Sequence, residues 1–192
     1  MPGSTLVDYI DELVKRGVKV RILTNSLAAN DVPMVHAGLM RYREDLLKGG
    51  VELYEFKPTP IAGDSDKKNN KHIGSSRASL HAKAFSIDRR YLFVGSFNLD
   101  PRSVSLNTEM GVIFEAPECA TALSTAFDQL GEVTAYCLAL QKNSNEKITA
   151  EQIVGHSREN GAQIGFTREP ETSWWDRFVA GFLSIFVPES QL

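Results

Sequence analysis

Two cysteines, two tryptophans and four histidines are all that 192 residues hold of those types. Cys119 and Cys137 make neither a disulfide framework nor a metal-ligand spacing, and they are expected to be buried thiols in a reducing compartment. Long hydrophobic runs are missing as well. The longest apolar stretch, Phe178 to Val187, holds ten residues, well short of the ~20 that span a bilayer as a helix. The opening segment MPGSTLVDYIDELVKRG carries acids early and lacks an apolar core segment, so no signal peptide is expected. Positive charge is scarce: 21 Lys and Arg stand against 24 Asp and Glu, a net charge of −3. That excludes a basic nucleic-acid footprint over the whole chain, although not a local basic patch. Phosphate-cradling P-loops, dinucleotide fingerprints and internal repeats are also absent.

What is present is ordinary globular composition, 42% hydrophobic and 23% charged, which rules out a disordered or fibrous chain. The length suits one domain with its own core, or one domain and a small appendage. Leu6, Ile10, Leu13 and Val14 lie at helical spacing over residues 5–16, and Gly17 follows as a stop signal. VKVRILT (18–24) predicts a strand with Val18, Val20 and Ile22 on one face. After NSLAAND, a second helix is expected from Pro33 to Lys48, its apolar face Val35, Leu39, Tyr42 and Leu46. Gly49 and Gly50 end it, and VELYEF (51–56) reads as a strand. Helix, strand, helix, strand is an α/β pattern with a parallel strand pair.

Residues 58–78 form a polar loop in which Lys67, Lys68, Lys71 and Arg77 either grip phosphate or, the preferred reading, stay solvated. LHAKAFSI and YLFVGSF flank Asp88-Arg89-Arg90 as a hairpin, followed by a strand at 109–115 and a helix at 117–130. Segments near 133–140, 150–154 and 162–167 fit either a helix or short strands. A last helix is expected after Ser173, an N-cap candidate. In it Trp174, Trp175, Phe178, Phe182, Leu183 and Phe186 either bury or rest on a bilayer, with Arg177 the one nearby positive charge.

The chemistry concentrates in SLHAKAFSIDRRYLFVGSFNLDPRSVSLNTEMGVIFE. His81 and Lys83 sit two apart on a strand and share a face. Asp88 lies at the hairpin, Gly95, Ser96 and Asn98 end the partner strand, and Glu109 starts the next. An imidazole attacks phosphorus or, once protonated, donates to a leaving oxygen. Lys83 and Asn98 suit the non-bridging oxygens of a five-coordinate transition state. Glu109 suits the second imidazole nitrogen, which would fix the tautomer. Asn25, at the end of a strand that should neighbour these, is either a turn residue or part of the site.

Together these residues spell H-x-K-x4-D-x6-G-S-x-N, and the chain resembles the phospholipase D superfamily. NSLAAND, HAGLMRYREDLLKGGVELYEF, NLDPRS and LNTE are similar to the C-terminal half of bacterial cardiolipin synthases. The resemblance implies a mixed β-sheet flanked by helices, one lobe of the usual two, with residues 1–130 as catalytic lobe and 131–192 as appendage. It implies a phosphatidyltransferase or phospholipid phosphodiesterase that needs no metal or cofactor. His81, Lys83 and Asn98 would line the phosphate site with Ser96 as a supporting donor. Glu109 would orient His81, and Asp88 would brace the hairpin. The family mechanism uses two histidines on opposite sides of one phosphorus, and only His81 has lysine two positions on. The implied partners are therefore a first-motif half or a second copy of the chain, a phospholipid such as phosphatidylglycerol, and a membrane surface. The implied location is bacterial, cytoplasmic or peripheral at the inner membrane. The alternatives are a single-motif homodimeric nuclease, against which the acidic composition counts, and a non-catalytic remnant.

Overall fold

A computed structural model describes residues 4–29, 33–60, 77–78, 80–98, 107–129, 134–142, 151–159, 162–167, 170, 172–175 and 178–179. Helix α1 (Ser4–Lys15) leads to strand β1 (Arg21–Asn25), and helix α2 (Pro33–Lys48) leads to β2 (Glu52–Phe56). Both helices stop in the same way. Gly17 and Gly50 take φ of 86° and 88°, a region that side chains with a Cβ avoid. The amide of Gly17 donates to Val14 and that of Val18 to Leu13; Gly50 donates to Leu47 and Val51 to Leu46. This paired closure consumes the last helical carbonyls and turns the chain back towards a strand. It also explains why β1 begins three residues later than the alternation of Val18, Val20 and Ile22 suggests. Val18 is occupied in the cap and is exposed.

Strands β1 and β2 pair in parallel, Arg21 opposite Glu52 through Asn25 opposite Phe56, as the α/β pattern requires. Val7 and Ile10 of α1 meet Leu46 of α2 and Val51, with Leu6, Val14, Val20, Ile22 and Tyr42 packed around them. The three ambiguous C-terminal segments are all strands: β8 (Ala135–Lys142), β9 (Glu151–Glu159) and β10 (Ala162–Phe166). They run antiparallel, and β8 adds to the free edge of β2 with Leu53 opposite Leu138. The result is a five-stranded mixed sheet in the order β1-β2-β8-β9-β10, so the strands beyond residue 131 continue the sheet begun by the N-terminal elements.

A two-stranded ladder joins β3 (Thr59–Pro60) to β4 (Arg77–Ala78). A separate antiparallel sheet contains β5 (Lys83–Ile87), β6 (Tyr91–Gly95) and β7 (Gly111–Glu115) in that order. Helix α3 (Pro117–Gln129) follows β7 and packs on β5 and β6. The buried Ser124 of α3 is a junction between the sheets. Its hydroxyl accepts from Arg21 Nη2 of β1 at 2.8 Å and from Arg89 Nε of the β5–β6 turn at 3.2 Å. Asp128, one helical turn on, pairs with the same two arginines at 2.6 and 3.6 Å.

Two sequence expectations change here. Cys119 is exposed on α3 and Cys137 is half-buried, because Cys119 falls on the solvent side of that helix while Ala120 faces inward. The terminal aromatics are not packed under the core. Trp174 and Trp175 are 66% and 60% exposed, and their rings lie 5.5 Å from Phe178. Phe182, Leu183, Phe186 and Arg177 lie outside the described residues, as do Lys67, Lys68 and Lys71. Among the described residues no helix is long and apolar enough to cross a membrane.

Candidate functional site

The hairpin expected around Asp88 is present, with Asp88-Arg89-Arg90 between the paired Ile87 and Tyr91. Asp88 and Arg89 both adopt left-handed backbone, φ 51° and 54°, and the amide of Arg90 closes on the carbonyl of Ile87 at 3.0 Å. Positive φ at both central residues of the Ile87–Arg90 turn gives a twist that matches the strands it joins, and Arg90 completes a three-residue loop between the paired Ile87 and Tyr91. Asparagine and aspartate tolerate that conformation better than other side chains, which accounts for Asp88. The turn sets the register: Lys83 opposite Gly95, Phe85 opposite Phe93, Ile87 opposite Tyr91. Strand β7 continues it, with Gly111 opposite Gly95 and Ile113 opposite Phe93.

That register puts two glycines side by side next to Lys83, and Phe93 uses the space. A Cβ on Gly95 would stand 2.6 Å from the Met110 carbonyl and 2.8 Å from both the Gly111 Cα and the Phe93 ring. A Cβ on Gly111 would run into the same ring. Phe93 in turn stacks on Phe85 with centroids 4.7 Å apart. The motif glycine is thus a steric requirement of strand pairing. Gly95→Ala is expected to cost about 1–3 kcal/mol by forcing β7 away from β6. Gly111→Ala should cost less, because a ring moves more easily than a backbone. Urea titrations of the two variants check the order; equal costs would sink the explanation.

The functional groups gather at the end of this sheet opposite the turn. His81 lies two residues before β5. Lys83 Nζ sits 2.9 Å from His81 Nε2 and 3.0 Å from the His81 carbonyl. An ammonium has only donors, so Lys83 can donate here only to a ring whose Nε2 carries no proton. Across the sheet, the Ser96 hydroxyl donates to Glu109 Oε2 at 2.5 Å, and the Met110 amide donates to Ser96 Oγ at 3.1 Å. The Ser96 amide adds a bond to the Met110 carbonyl at 2.9 Å. Asn107 Nδ2 donates to Glu109 Oε1 at 3.3 Å. Asn98 is exposed two residues beyond Ser96.

Two clusters therefore stand at one sheet end, His81 with Lys83 and Ser96 with Glu109. Continuing the register places His81 and Glu109 in the same row with β6 between them, roughly 10 Å apart at two strand spacings. No bond joins them among the described residues. The bonds shown for Glu109 run to Ser96 and Asn107, and that of the His81 ring runs to Lys83. Asp88 is not brought to this end at all, since the whole length of β5 separates it from His81.

One contributor was only half visible in sequence. Asn25, the last residue of β1, donates from Nδ2 to the Leu80 carbonyl at 2.9 Å and accepts from the Leu80 amide at 2.8 Å. The threonine-asparagine-serine at a strand end was the only signal. The partner stands 55 residues away, beyond the reach of any local pattern.

Chemically, the exposed imidazole beside a flexible ammonium suits an oxyanion with ester oxygens. A second cation placed at Nε2 would meet Lys83 head-on, so the donor set favours an anion over a metal ion.

A family profile described as "Cardiolipin synthase, PLD-like domain" matches residues 1–131. The chain is 45% identical to Cardiolipin synthase C of Escherichia coli (strain K12) over 190 residues, 98% of this chain and 38% of that protein. It is 26% identical to Cardiolipin synthase B of the same strain over 175 residues, 91% of this chain and 31% of that protein. A crystal structure of a phospholipase D family member, Nuc from Salmonella typhimurium, aligns with a TM-score of 0.44 and 18% identity, covering 67% of this chain and 70% of that one. The chain spans less than half of either cardiolipin synthase.

Proposed function

Because the chain belongs to the cardiolipin synthase, phospholipase D-like family, we propose that it supplies one histidine half of a phosphatidyl-transfer site. The observation that carries this reading is the His81–Lys83 pair, 2.9 Å apart at the open end of the β5–β6–β7 sheet. In the proposed reaction the imidazole of a second motif attacks the phosphorus of phosphatidylglycerol. The bond from phosphorus to the glycerol oxygen breaks, and His81, entering the step as an imidazolium with Lys83 moved off Nε2, passes a proton to that oxygen. The hydroxyl of a second phosphatidylglycerol then attacks the phosphohistidine, its proton returns to His81, and the nitrogen–phosphorus bond breaks. Two phosphatidylglycerols give one cardiolipin and one glycerol. Lys83 swings from Nε2 to the non-bridging phosphate oxygens, where Asn98 joins it. Ser96 and Glu109 shape the opposite wall of the phosphate site.

The surface of the small sheet supports a partnered arrangement. Strand β7 is an edge strand exposed along its whole length, with Val112 57% and Ile113 62% open to solvent. Phe85, Ile87, Tyr91, Val94 and Phe114 add exposed apolar area on the same sheet. Isolated soluble lobes seldom leave such an edge uncovered. A first-motif half or a second copy of the chain would cover it and bring the second imidazole. The exposed Trp174–Trp175–Phe178 cluster fits contact with the headgroup region of the inner membrane that holds the substrate.

A chimera tests this. The 192 residues replace the matching part of Cardiolipin synthase C and meet vesicles of phosphatidylglycerol. The expected products are cardiolipin and glycerol in equal amounts. A folded chimera that leaves the lipid intact, or that cleaves DNA instead, would overturn the reading.

A further inference from the structure

Strand β1 reaches the site from outside the small sheet. The backbone of Asn25 belongs to the large sheet: it pairs with Phe56 of β2, and the Ser26 amide donates to the Phe56 carbonyl at 3.2 Å. Its side chain belongs to the small sheet's approach. One amide group satisfies both the carbonyl and the amide of Leu80, the residue before His81. No other side chain type of that size both donates and accepts in one plane. The pairing has the form of a short strand ladder in which a side chain replaces the neighbouring backbone.

The opposite end of the same strand is tied as well. Arg21 reaches Ser124 and Asp128 of α3, and these hold Arg89 in the hairpin turn. Strand β1 thus meets the hairpin assembly at both ends, through α3 at the turn and at Leu80, the residue before the histidine. A hydrogen bond to the residue next to His81 fixes where Cα of His81 stands and where its ring meets Lys83. Errors of about 1 Å in such placements cost on the order of a hundredfold in rate.

We infer that Asn25 is a positioning residue for His81, its amide clamping the Leu80 backbone so that the imidazole lies against Lys83. This rests on the reading of His81 as the working histidine. The test reads geometry and not turnover, so it stands or falls separately from the phosphatidyl-transfer proposal.

The experiment uses the full chain, labelled with 15N, and two variants. Asn25→Ala removes both bonds. Asn25→Asp keeps the acceptor for the Leu80 amide and loses the donor. In Asn25→Ala the Leu80 amide is expected to exchange with solvent about tenfold faster. The His81 ring 15N shifts should move to those of a solvated imidazole, while the Leu23 and Leu53 amides keep their protection. In Asn25→Asp the Leu80 amide stays protected and the His81 ring shifts fall between. Ring shifts unchanged in Asn25→Ala despite faster Leu80 exchange would overturn the inference. So would a uniform rise in exchange through β1 and β2, which marks a merely structural residue. If Asn25→Ala fails to fold, Asn25→Asp decides: a Leu80 amide as exposed as in a loop overturns the clamp.

Discussion

Arg43→Met is expected to unfold the chain about 3–5 kcal/mol more easily than the parent, a large share of the roughly 5–15 kcal/mol that holds a domain. Arg43 of α2 and Glu55 of β2 form an ion pair in the core, 6% and 1% exposed. Solvent screening is weak there, so removing the arginine takes an opposite charge away from a buried carboxylate beside Tyr136. Glu55→Leu takes the opposite charge away from the buried guanidinium and should cost a similar amount. The double variant Arg43→Met/Glu55→Leu removes both desolvated charges and is expected to recover most of the loss, because apolar replacements of a buried pair are often neutral or better. Urea denaturation with a constant slope measures all four corners of this cycle. Single variants costing less than about 1 kcal/mol would mean that the pair is wet, like a surface bridge, and would sink the argument.

His81→Ala in the chimera with Cardiolipin synthase C is expected to lower phosphatidyl transfer by about 10²–10⁴-fold, the usual contribution of a positioned acid–base group. Asp88→Asn is the informative contrast. Both residues are fixed letters of one motif, yet the structure puts β5 between them. Asparagine accepts left-handed backbone as aspartate does, so this variant should keep near-parental transfer. Asp88→Val, a β-branched residue at φ 51°, should instead lower stability while leaving the chemistry of the folded fraction alone. Equal losses of transfer from His81→Ala and Asp88→Asn would place Asp88 in the chemistry and contradict the geometry.

The parts of this molecule that were legible in sequence are those specified locally. Helix α2 spans the residues that Pro33 and the glycine pair delimit. The parallel β1–β2 pair followed from a helix between two apolar strands, and the hairpin from turn residues between alternating runs. That His81 and Lys83 meet followed from their two-residue spacing on an extended segment, and the antiparallel register carries Ser96 and Glu109 to the same sheet end. What was not legible depends on partners distant in the chain. The segments after residue 131 gave no clear period, because β8, β9 and β10 lie within or beside a sheet whose other members come from residues 21–56. The expected link from Glu109 to His81 gave way to Ser96 and Asn107 because those side chains are nearer along β6 and β7. Asn25 gave a hint of position and none of partner.

The tight turn at Asp88-Arg89 has a consequence far from itself. Side chains on a strand alternate between faces, so a hairpin has a parity, and its loop length decides it. With three residues in the loop, Lys83 lies opposite the Gly95–Gly111 pair, and His81 lines up with Phe97 and Glu109. One residue more at the tip would slide the facing strand by a place. Lys83 would then stand opposite Ser96, the Phe93 ring would lose its glycine bed, and the imidazole would face a different neighbour. The motif's acid acts as a gauge block: roughly 17 Å from Lys83 along the chain, it sets the count by which the chemistry at the other end is assembled.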